Sequence, residues 1–512
     1  MYILSIDLGT SGPKVALVRD TGDIAASAAG SVQTHMLPKG GVEQDAEEIW
    51  SSVLTAMKDV LRSAGVSPAE VAAVTCASQY FSLVPVDRDV RPVMNLLLWM
   101  DSRGSRHTRR LYQDHPNAFD TWIETHGMMP LPSGSDSLSH MLYIHHERPD
   151  VYERTFKFLE PVDFITARLT GTCSSNVCTA FPLLLTDNRD LASRDYDAQL
   201  VGMSGLDREK LPDLIPIGSC AGNLRREIAS ELGLTPATKV FTGVNDTQAA
   251  SVGTATFRAA TGAVNVGTTS QVLAHVASKK SDVANAILSM PSPIAGRHLV
   301  MAENGLGART LDHFLRNIVF AKDALADHTT ATPFAGLEES VGSAPAGCRG
   351  LLYLPWLTGA QAPESSPKTR GGFLNVTLGT TRAHMVRAIL EGVAFNMRWM
   401  VPAVEAFAET HFDELLFSGG AAMSDVWSQI MADVLGRPVA QLAEARFVNN
   451  RATAFLGFVE LGVLGLDDID RMCRIARRYT PQPELRQMYD DHFAQFLAAF
   501  ERTRPVFEAL NG

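Results

Sequence analysis

Two short glycine-threonine turns, half the chain apart, are the stretches best equipped for chemistry. Near the start, the apolar run around Asp7 ends in Leu8-Gly9-Thr10-Ser11; far downstream, Val264-Asn265-Val266 ends in Gly267-Thr268-Thr269-Ser270. Backbone amides and short hydroxyls on such a tight turn form an anion-binding concavity. One concavity on each half-chain predicts a polyphosphate gripped between two related domains. Asp7, at the strand end beside the first turn, is placed to hold Mg2+ directly or through water, because magnesium keeps several waters and takes only one or two carboxylates. Lys14 is within reach of a terminal phosphate. The plainer alternative is that Asp7 caps a turn and Lys14 is solvated.

Moving a phosphoryl group also needs a base beside the acceptor hydroxyl and a site closed to water. Asp246 is the candidate base. It follows a short apolar strand in Gly243-Val244-Asn245-Asp246-Thr247-Gln248 and opens a helix of small residues, where a carboxylate can meet a substrate hydroxyl at hydrogen-bond distance. An aspartate there also caps helices; taken alone the cap is the stronger reading, and taken with both turns the catalytic one is. Trp99-Met100-Asp101-Ser102-Arg103 sets an aromatic face beside a carboxylate, which suits the C–H face and hydroxyl rim of a sugar. Simple packing of Trp99 and an N-cap role for Asp101 compete with that. Ser418-Gly419-Gly420-Ala421, with Ser424 a turn later, lets backbone approach a flat adenine or ribose closely. There is no Gly-Lys dipeptide, hence no P-loop, and no complete GxGxxG, HExxH or GxSxG. Any ATP is therefore handled by another architecture.

The elements that must position these residues alternate between strands and helices. A β-meander is predicted over Tyr2–Leu8, Pro13–Arg19 and Ile24–Ser31, followed by a helix from a capping box at Asp45 and Glu48 to about Leu61. Val71–Ala77 is a short strand ending in Ser78-Gln79-Tyr80-Phe81, and strand ends followed by polar loops are where open α/β sheets place ligands. Lys239–Thr242, Ala263–Val266 and Leu415–Phe417 repeat the strand-to-loop-to-helix joint, which indicates two α/β domains dividing between Asp246 and Ala260. From Ser278 to about Ala346 the Pro and Gly content predicts loops, with one helix over Ala308–Ile318. With 512 residues, 46% hydrophobic and 20% charged, the composition is that of a globular protein. The formal net charge of −11 argues against a nucleic-acid partner. No apolar run suits a bilayer, no signal peptide opens the chain, and six scattered cysteines lack metal-ligand spacing. A cytoplasmic protein with a small-molecule substrate, no membrane and no nucleic acid is the expectation.

In order and spacing these residues resemble the FGGY carbohydrate kinases, the group that contains xylulokinase and glycerol kinase. The likeness covers nearly the whole chain. It rests on Asp7-Leu8-Gly9-Thr10-Ser11-Gly12 with Lys14, on Trp99 to Arg103, on Asp246 and the small residues after it, and on Gly267-Thr268-Thr269. It extends through Leu354-Pro355-Trp356-Leu357-Thr358-Gly359, Arg370-Gly371, Leu390-Glu391-Gly392-Val393-Ala394-Phe395 and Gly419-Gly420-Ala421. The resemblance implies an α/β protein of two ribonuclease H-like domains, of the actin and sugar-kinase type, around a central cleft. Residues 1–250 would form the sugar-binding side with the first phosphate turn, and residues 251–512 the mainly nucleotide-binding side. It implies ATP and Mg2+ as cofactors, a small sugar or polyol as substrate, and a homodimer as one assembly found among relatives. Asp246 would deprotonate the acceptor hydroxyl and Asp7 would hold the metal. Gly9, Thr10, Ser11, Lys14, Gly267, Thr268 and Thr269 would surround the phosphates, with Gly420, Ala421 and Ser424 near the adenosine. Gln79, Tyr80, Phe81, Trp99, Asp101, Asp246 and Thr247 would line the sugar pocket.

Departures from the family pattern bear on the substrate. Tyr80-Phe81 stand where xylulokinases have Met-His and glycerol kinases Arg-Glu, so a less polar wall is expected. Ala360-Gln361-Ala362 replace a family Glu-Arg-Thr/Ser, His140 stands where Lys is usual, and Asn449-Asn450 interrupt a more typical Gly-Ala run. A xylulose-like ketose is the favoured acceptor, with another ketose, a polyol or a sugar acid as alternatives. A non-catalytic binder descended from such kinases and an actin-like or chaperone-like ATPase are the readings from other classes.

Overall fold

The computed structural model of the chain describes residues 1–511. Two large sheets dominate it. The first is built from β1 (Tyr2–Gly9), β2 (Gly12–Arg19), β3 (Ile24–Ala29), β4 (Val71–Ser78), β5 (Cys220–Asn223), β6 (Lys239–Phe241) and β7 (Val244–Asn245), in the order β5-β6-β4-β1-β2-β3, with β7 pairing the far end of β4. The second contains β8 (Gly262–Val266), β9 (Thr269–Val276), β10 (Ser281–Asp282), β11 (Ile287–Pro291), β12 (His298–Leu306), β13 (Leu415–Ser418), β14 (Val439–Leu442) and β15 (Ile475–Tyr479), in the order β10-β11-β12-β9-β8-β13-β14-β15. In each, three antiparallel strands lead to a fourth that lies parallel to the first: β1 beside β4, and β8 beside β13. The repetition seen in the two turns is thus a repetition of whole sheets, and each turn is the hairpin joining the first two strands of its sheet.

β1 is apolar on both faces because both are covered: Ile3, Leu4 and Ile6 are fully buried, the mark of a central strand flanked by helices. Its register with β2 runs out to Gly9 opposite Gly12. Gly12 has φ +136°, and a Cβ there would lie 2.4 Å from the Gly30 carbonyl oxygen, so only glycine closes this hairpin. The helix α1 (Ala46–Ala64) returns the chain to β4 and is capped by Asp45, whose carboxylate accepts from the Glu47 and Glu48 amides. The box is half made, since Glu48 turns to the Gln33 amide instead.

At 278–346 the structure overturns the loop expectation. β11 and β12 are buried strands of the second sheet, hidden in the sequence by Pro291, Pro293 and Gly296 at their joint. The helix there, α3 after α2 (Asp246–Gly253), spans Ala308–Phe314 and widens into a π-turn through Val319.

The longest helix, α4 (Arg382–Ala408), joins β12 to β13. The helix α5 (Val448–Glu460) comes from the C-terminal half yet lies on the first sheet. Its Asn450 side-chain amide donates to the Ser5 and Lys14 carbonyls at 3.1 and 3.2 Å, and Thr453 hydrogen-bonds Ser5 at 2.7 Å. Gly457 lies against Ile3 and Thr75, where a Cβ would come within 2.7 Å of the Ile3 side chain. The two sheets are therefore linked by a buried helix as well as by the chain near residue 255. Among the described residues, no helix is long and apolar enough to cross a membrane, and all six cysteines are unpaired.

Candidate active site

Asp246 is the first residue of α2, and the N-cap position belongs to Asn245, whose backbone N–H is received by Gln248 Oε1 at 3.0 Å. One oxygen of Asp246 accepts the Thr247 amide at 2.7 Å. The side chain keeps a little exposure but is ringed by protein. Burial above all, then the charges of Asp7 and Glu303, push its pKa up to about 7, against the Thr247 hydrogen bonds that lower it. Those three carboxylates share one low-dielectric space, which brings residues of both sheets to one place.

Asp7 is 2% exposed. Lys14 Nζ lies 2.6 Å from its Oδ2, off the direction of a well-aligned hydrogen bond, and Asn449 donates to Oδ1 at 3.2 Å. An ammonium beside a buried carboxylate oxygen with no aligned donor marks a place fitted to a cation. Among the described residues no three His, Cys, Asp or Glu side chains gather tightly enough to hold a metal alone, so Mg2+ here would complete its shell with phosphate oxygens and water.

Behind the first turn lies a polar web. Thr10 donates to Gln79 Oε1 at 2.6 Å and accepts from the Trp99 indole at 3.2 Å, while Gln44 bonds the Thr10 carbonyl at 2.7 Å. Both directions of the Thr10 hydroxyl are thus engaged, leaving backbone amides and the exposed Ser11 to face a ligand. The Tyr80 and Phe81 rings pack beside one another with centroids 4.9 Å apart, tilted by 35°. Phe81 has φ +56°, a strained conformation for a bulky residue, and it turns the chain out of β4. Tyr80 Oη receives the Thr247 hydroxyl at 3.4 Å, next to Asp246; burial and the nearby Glu303 and Asp246 raise its pKa. Phe81 also packs against Phe181, with ring centroids 6.5 Å apart.

The second turn abuts the glycine pair. Gly419 has φ +87°, and a Cβ there would lie 2.5 Å from the Val266 carbonyl oxygen. Gly267 and Thr268 carbonyls accept from Ala308 and Gly307 amides at 2.8 and 2.9 Å, so α3 starts at the turn. Gly267 and Thr269 are half-buried, Thr268 and Gly420 are exposed, and Ala421 is buried. The Ser424 hydroxyl is already used: it accepts from the Trp427 amide as helix cap and donates to Glu338 at 2.5 Å, so it shapes this wall without a free donor.

Asp101 departs from the expected sugar contact. It is fully buried and clasps Arg103 through both oxygens at 2.6–3.2 Å, while accepting the Val42 amide at 2.8 Å. Arg103 also reaches Glu43 at 2.6 Å and lies over the Tyr143 ring. Nor does Asp101 cap the next helix, whose N-cap is Gly104. His140 supports this cluster by bonding the Asp101 carbonyl at 3.0 Å. Removing one partner of a buried ion pair costs about 3–5 kcal/mol. Asp101→Asn is therefore expected to lower the thermal midpoint clearly in a calorimetric scan while the sugar KM of the surviving folded fraction stays put.

Two cleft residues escaped the sequence reading. Gln271 on β9 donates to Glu303 on β12 at 2.7 Å, and its amide lies 3.5 Å from the Thr247 hydroxyl. Burial raises the pKa of Glu303, against hydrogen bonds from Gln271 and Thr269. The available signal was an apolar run ending in Glu-Asn-Gly, parallel to the run ending in Asp-Leu-Gly at residue 7. The departing loop is anchored here: Gln361 N–H donates to Asn304 Oδ1 at 3.1 Å, and the Ala362 amide donates to the Glu303 carbonyl at 3.0 Å. Asn304 and backbone thus hold the segment at Ala360-Gln361-Ala362.

Family and fold are both matched by known proteins. The FGGY family of carbohydrate kinases matches through its N-terminal domain at residues 2–253 and its C-terminal domain at residues 262–448, and the chain belongs to this family. It is a carbohydrate kinase. The xylulose kinase of Bacillus subtilis is 24% identical over 99% of this chain and 98% of its own length. The autoinducer-2 kinase of an Enterobacter species is 25% identical over 98% and 94%. The crystal structure of gluconate kinase from Lactobacillus acidophilus superposes with a TM-score of 0.85 at 22% identity, covering 99% of each chain.

Proposed function

We propose that the protein transfers the terminal phosphoryl group of ATP to a hydroxyl of a small sugar or polyol, with a xylulose-like ketose first. What supports this reading is the buried Asp246 carboxylate, close enough to Asp7 and Glu303 that burial and their charges push its pKa up to about 7. A base works best near the operating pH. Residues 1–250 would supply the acceptor side and residues 251–512 most of the nucleotide side. Asp246 accepts the proton of the attacking hydroxyl at its carboxylate, and Thr247 fixes the orientation of that carboxylate. Backbone amides of Gly9, Thr10 and Ser11 on one side and of Gly267, Thr268 and Thr269 on the other cradle the phosphates. Lys14, half exposed and on Asp7, is long enough to follow a terminal phosphate oxygen. Asp7 would hold Mg2+, which supplies charge neutralisation on the phosphates. Gly420 and Ala421 bound the space for the adenosine. Closure of the two sheets brings base and phosphate into line, a positioning effect of several kcal/mol.

The acceptor sits between Trp99, Gln79, the Tyr80-Phe81 rings and, from the second sheet, Gln271 and Glu303. Matches to kinases named for xylulose, gluconate and autoinducer-2 at similarly low identity leave the acceptor to be set by this wall. A coupled ADP assay over ketoses, aldoses, polyols and sugar acids tests the proposal. The largest kcat/KM is expected for a xylulose-like ketose; a panel in which no compound stimulates ADP release would remove the acceptor assignment. Glu303→Gln is expected to raise the sugar KM by about tenfold to a hundredfold, the value of a hydrogen bond to a charged group, while the KM for ATP changes little in the same steady-state assay.

A further inference from the structure

Behind the first turn, Thr10, Gln79 and Gln44 close a circuit of hydrogen bonds. The Thr10 hydroxyl donates to Gln79 Oε1 at 2.6 Å, Gln79 Nε2 donates to Gln44 Oε1 at 3.3 Å, and Gln44 Nε2 returns to the Thr10 carbonyl at 2.7 Å. We propose that Gln44 is a positioning residue for phosphoryl transfer, which aims the Ser11 amide at the phosphates and ties the first turn to Trp99 and Gln79 of the acceptor wall. This role rests on the kinase reading above, in which that turn cradles the phosphates.

One donor fixes the direction of every bond in the circuit. An indole N–H can only donate, and the Trp99 indole reaches the Thr10 hydroxyl at 3.2 Å. That hydroxyl must then give its own proton to Gln79, which turns the Gln79 carbonyl toward Thr10 and its NH2 group toward Gln44. Gln44 in turn directs its NH2 group to the Thr10 carbonyl and to the Thr34 hydroxyl, the latter at 3.1 Å. Gln44 is 1% exposed and Gln79 3%, so water does not compete, and bonds arranged head to tail strengthen one another. With both donors used and the side chain sealed, Gln44 touches no substrate; it acts through Thr10.

Peptide geometry dictates what it does there. The Thr10 carbonyl and the Ser11 N–H belong to one trans peptide and point in opposite directions. Gln44 holds the carbonyl inward, so the Ser11 N–H is aimed outward, where Ser11 is exposed. Backbone N–H groups aimed in this way are what an anion-binding concavity is made of. Gln44 is itself held at both ends: it closes the short strand Gly41–Gln44, which pairs with Leu96–Leu97, and the next residue, Asp45, caps α1. The Gln79 backbone N–H donates to the Leu8 carbonyl at 2.8 Å, so the circuit is also anchored on β1. Because the Thr10 hydroxyl serves both Gln79 and the Trp99 indole, a change at the turn is felt at the aromatic face.

The test uses the full chain, titrated in a calorimeter with a non-hydrolysable ATP analogue and Mg2+. Misfolded protein lowers the number of sites, whereas a mis-aimed turn lowers the affinity of those that remain. Gln44→Met, of similar length but with neither donor nor acceptor amide, is expected to bind the analogue about tenfold more weakly, the worth of about one hydrogen bond. The second readout is the Trp99 indole 1H–15N resonance, assigned among the six tryptophans by its loss in Trp99→Phe. The analogue without sugar is expected to shift it in the wild type and in Thr10→Ser, which keeps the hydroxyl, and to leave it in place in Thr10→Val, which does not. An affinity unchanged in Gln44→Met, whatever its site number, or a Trp99 shift that persists in Thr10→Val, overturns the role given to Gln44 and leaves the kinase reading standing. A wild type that binds no nucleotide overturns both.

Discussion

Asp246→Asn is expected to abolish sugar-stimulated ADP release while the protein stays folded and still binds ATP and sugar. A positioned general base contributes about 10²–10⁴-fold in rate, and asparagine cannot take the proton. The substitution separates the two readings of this residue because Asn and Asp serve equally well at helix starts. Asn can receive the Thr247 amide as Asp does, so a structural role would leave turnover intact. The pH dependence follows from the same group. Only the carboxylate acts as base, so kcat/KM is expected to rise with pH through about 7 and to fall about tenfold per unit below it. For stability the sign is the reverse. The folded-state pKa is raised above the ordinary 3.8, so the folded protein keeps a proton that the unfolded chain has already lost. The stability tied to that proton is complete at low pH and disappears as pH climbs from about 4 through about 7. Asp246→Asn is therefore expected to be more heat-resistant than the wild type at pH 8. Turnover within tenfold of wild type, or a flat rate profile between pH 5.5 and 8, would count against the base assignment.

The legible parts of this protein are those where backbone geometry dictates residue type. Gly12 closes a hairpin that no other residue fits, and Gly419 lies where a Cβ would strike the Val266 carbonyl. Hence the turns, the strands before them and the joint at Asp246 could be read from single stretches of sequence. Glu303 could not, because its strand follows a proline-broken joint, and a carboxylate in a strand gains meaning only from what faces it. Gln271 faces it through sheet pairing, which no local spacing reveals. Asp101 was misread for a related reason: its partner Arg103 stands two residues away in plain view, but only an irregular backbone lets both meet at 2.6 Å in a buried pocket. Asn449 and Asn450 stood out in the sequence only as an interruption. In the fold they are the polar pins between α5 and the first sheet, one on Asp7 and one on the Ser5 and Lys14 carbonyls. Long-range pairing, more than two hundred residues apart, hid them.

That pin bears on the second large effect. Asp7→Asn is expected to reduce kcat/KM by about a thousandfold, or about 4 kcal/mol at 1.36 kcal/mol per decade, with a marked rise in the Mg2+ concentration needed for half-maximal rate. The buried carboxylate balances Lys14 at 2.6 Å, and neutralising it leaves that cation without its counter-charge and the phosphates without a hard anionic anchor for a divalent ion. The sugar KM is expected to change little, because the acceptor wall proposed above is built from Trp99, Tyr80 and Glu303. Asn449→Ala removes the 3.2 Å bond to Asp7 but not the charge, so a loss of less than about tenfold is expected, in line with one neutral donor to a carboxylate. If Asp7 merely capped the first turn, Asp7→Asn would lower the thermal midpoint and leave the Mg2+ dependence where it was. A double-mutant cycle over Asp7 and Lys14, read in kcat/KM at saturating Mg2+, would then show additive losses. Strong non-additivity is expected instead, because Lys14 is held over the phosphate turn only while Asp7 carries its charge.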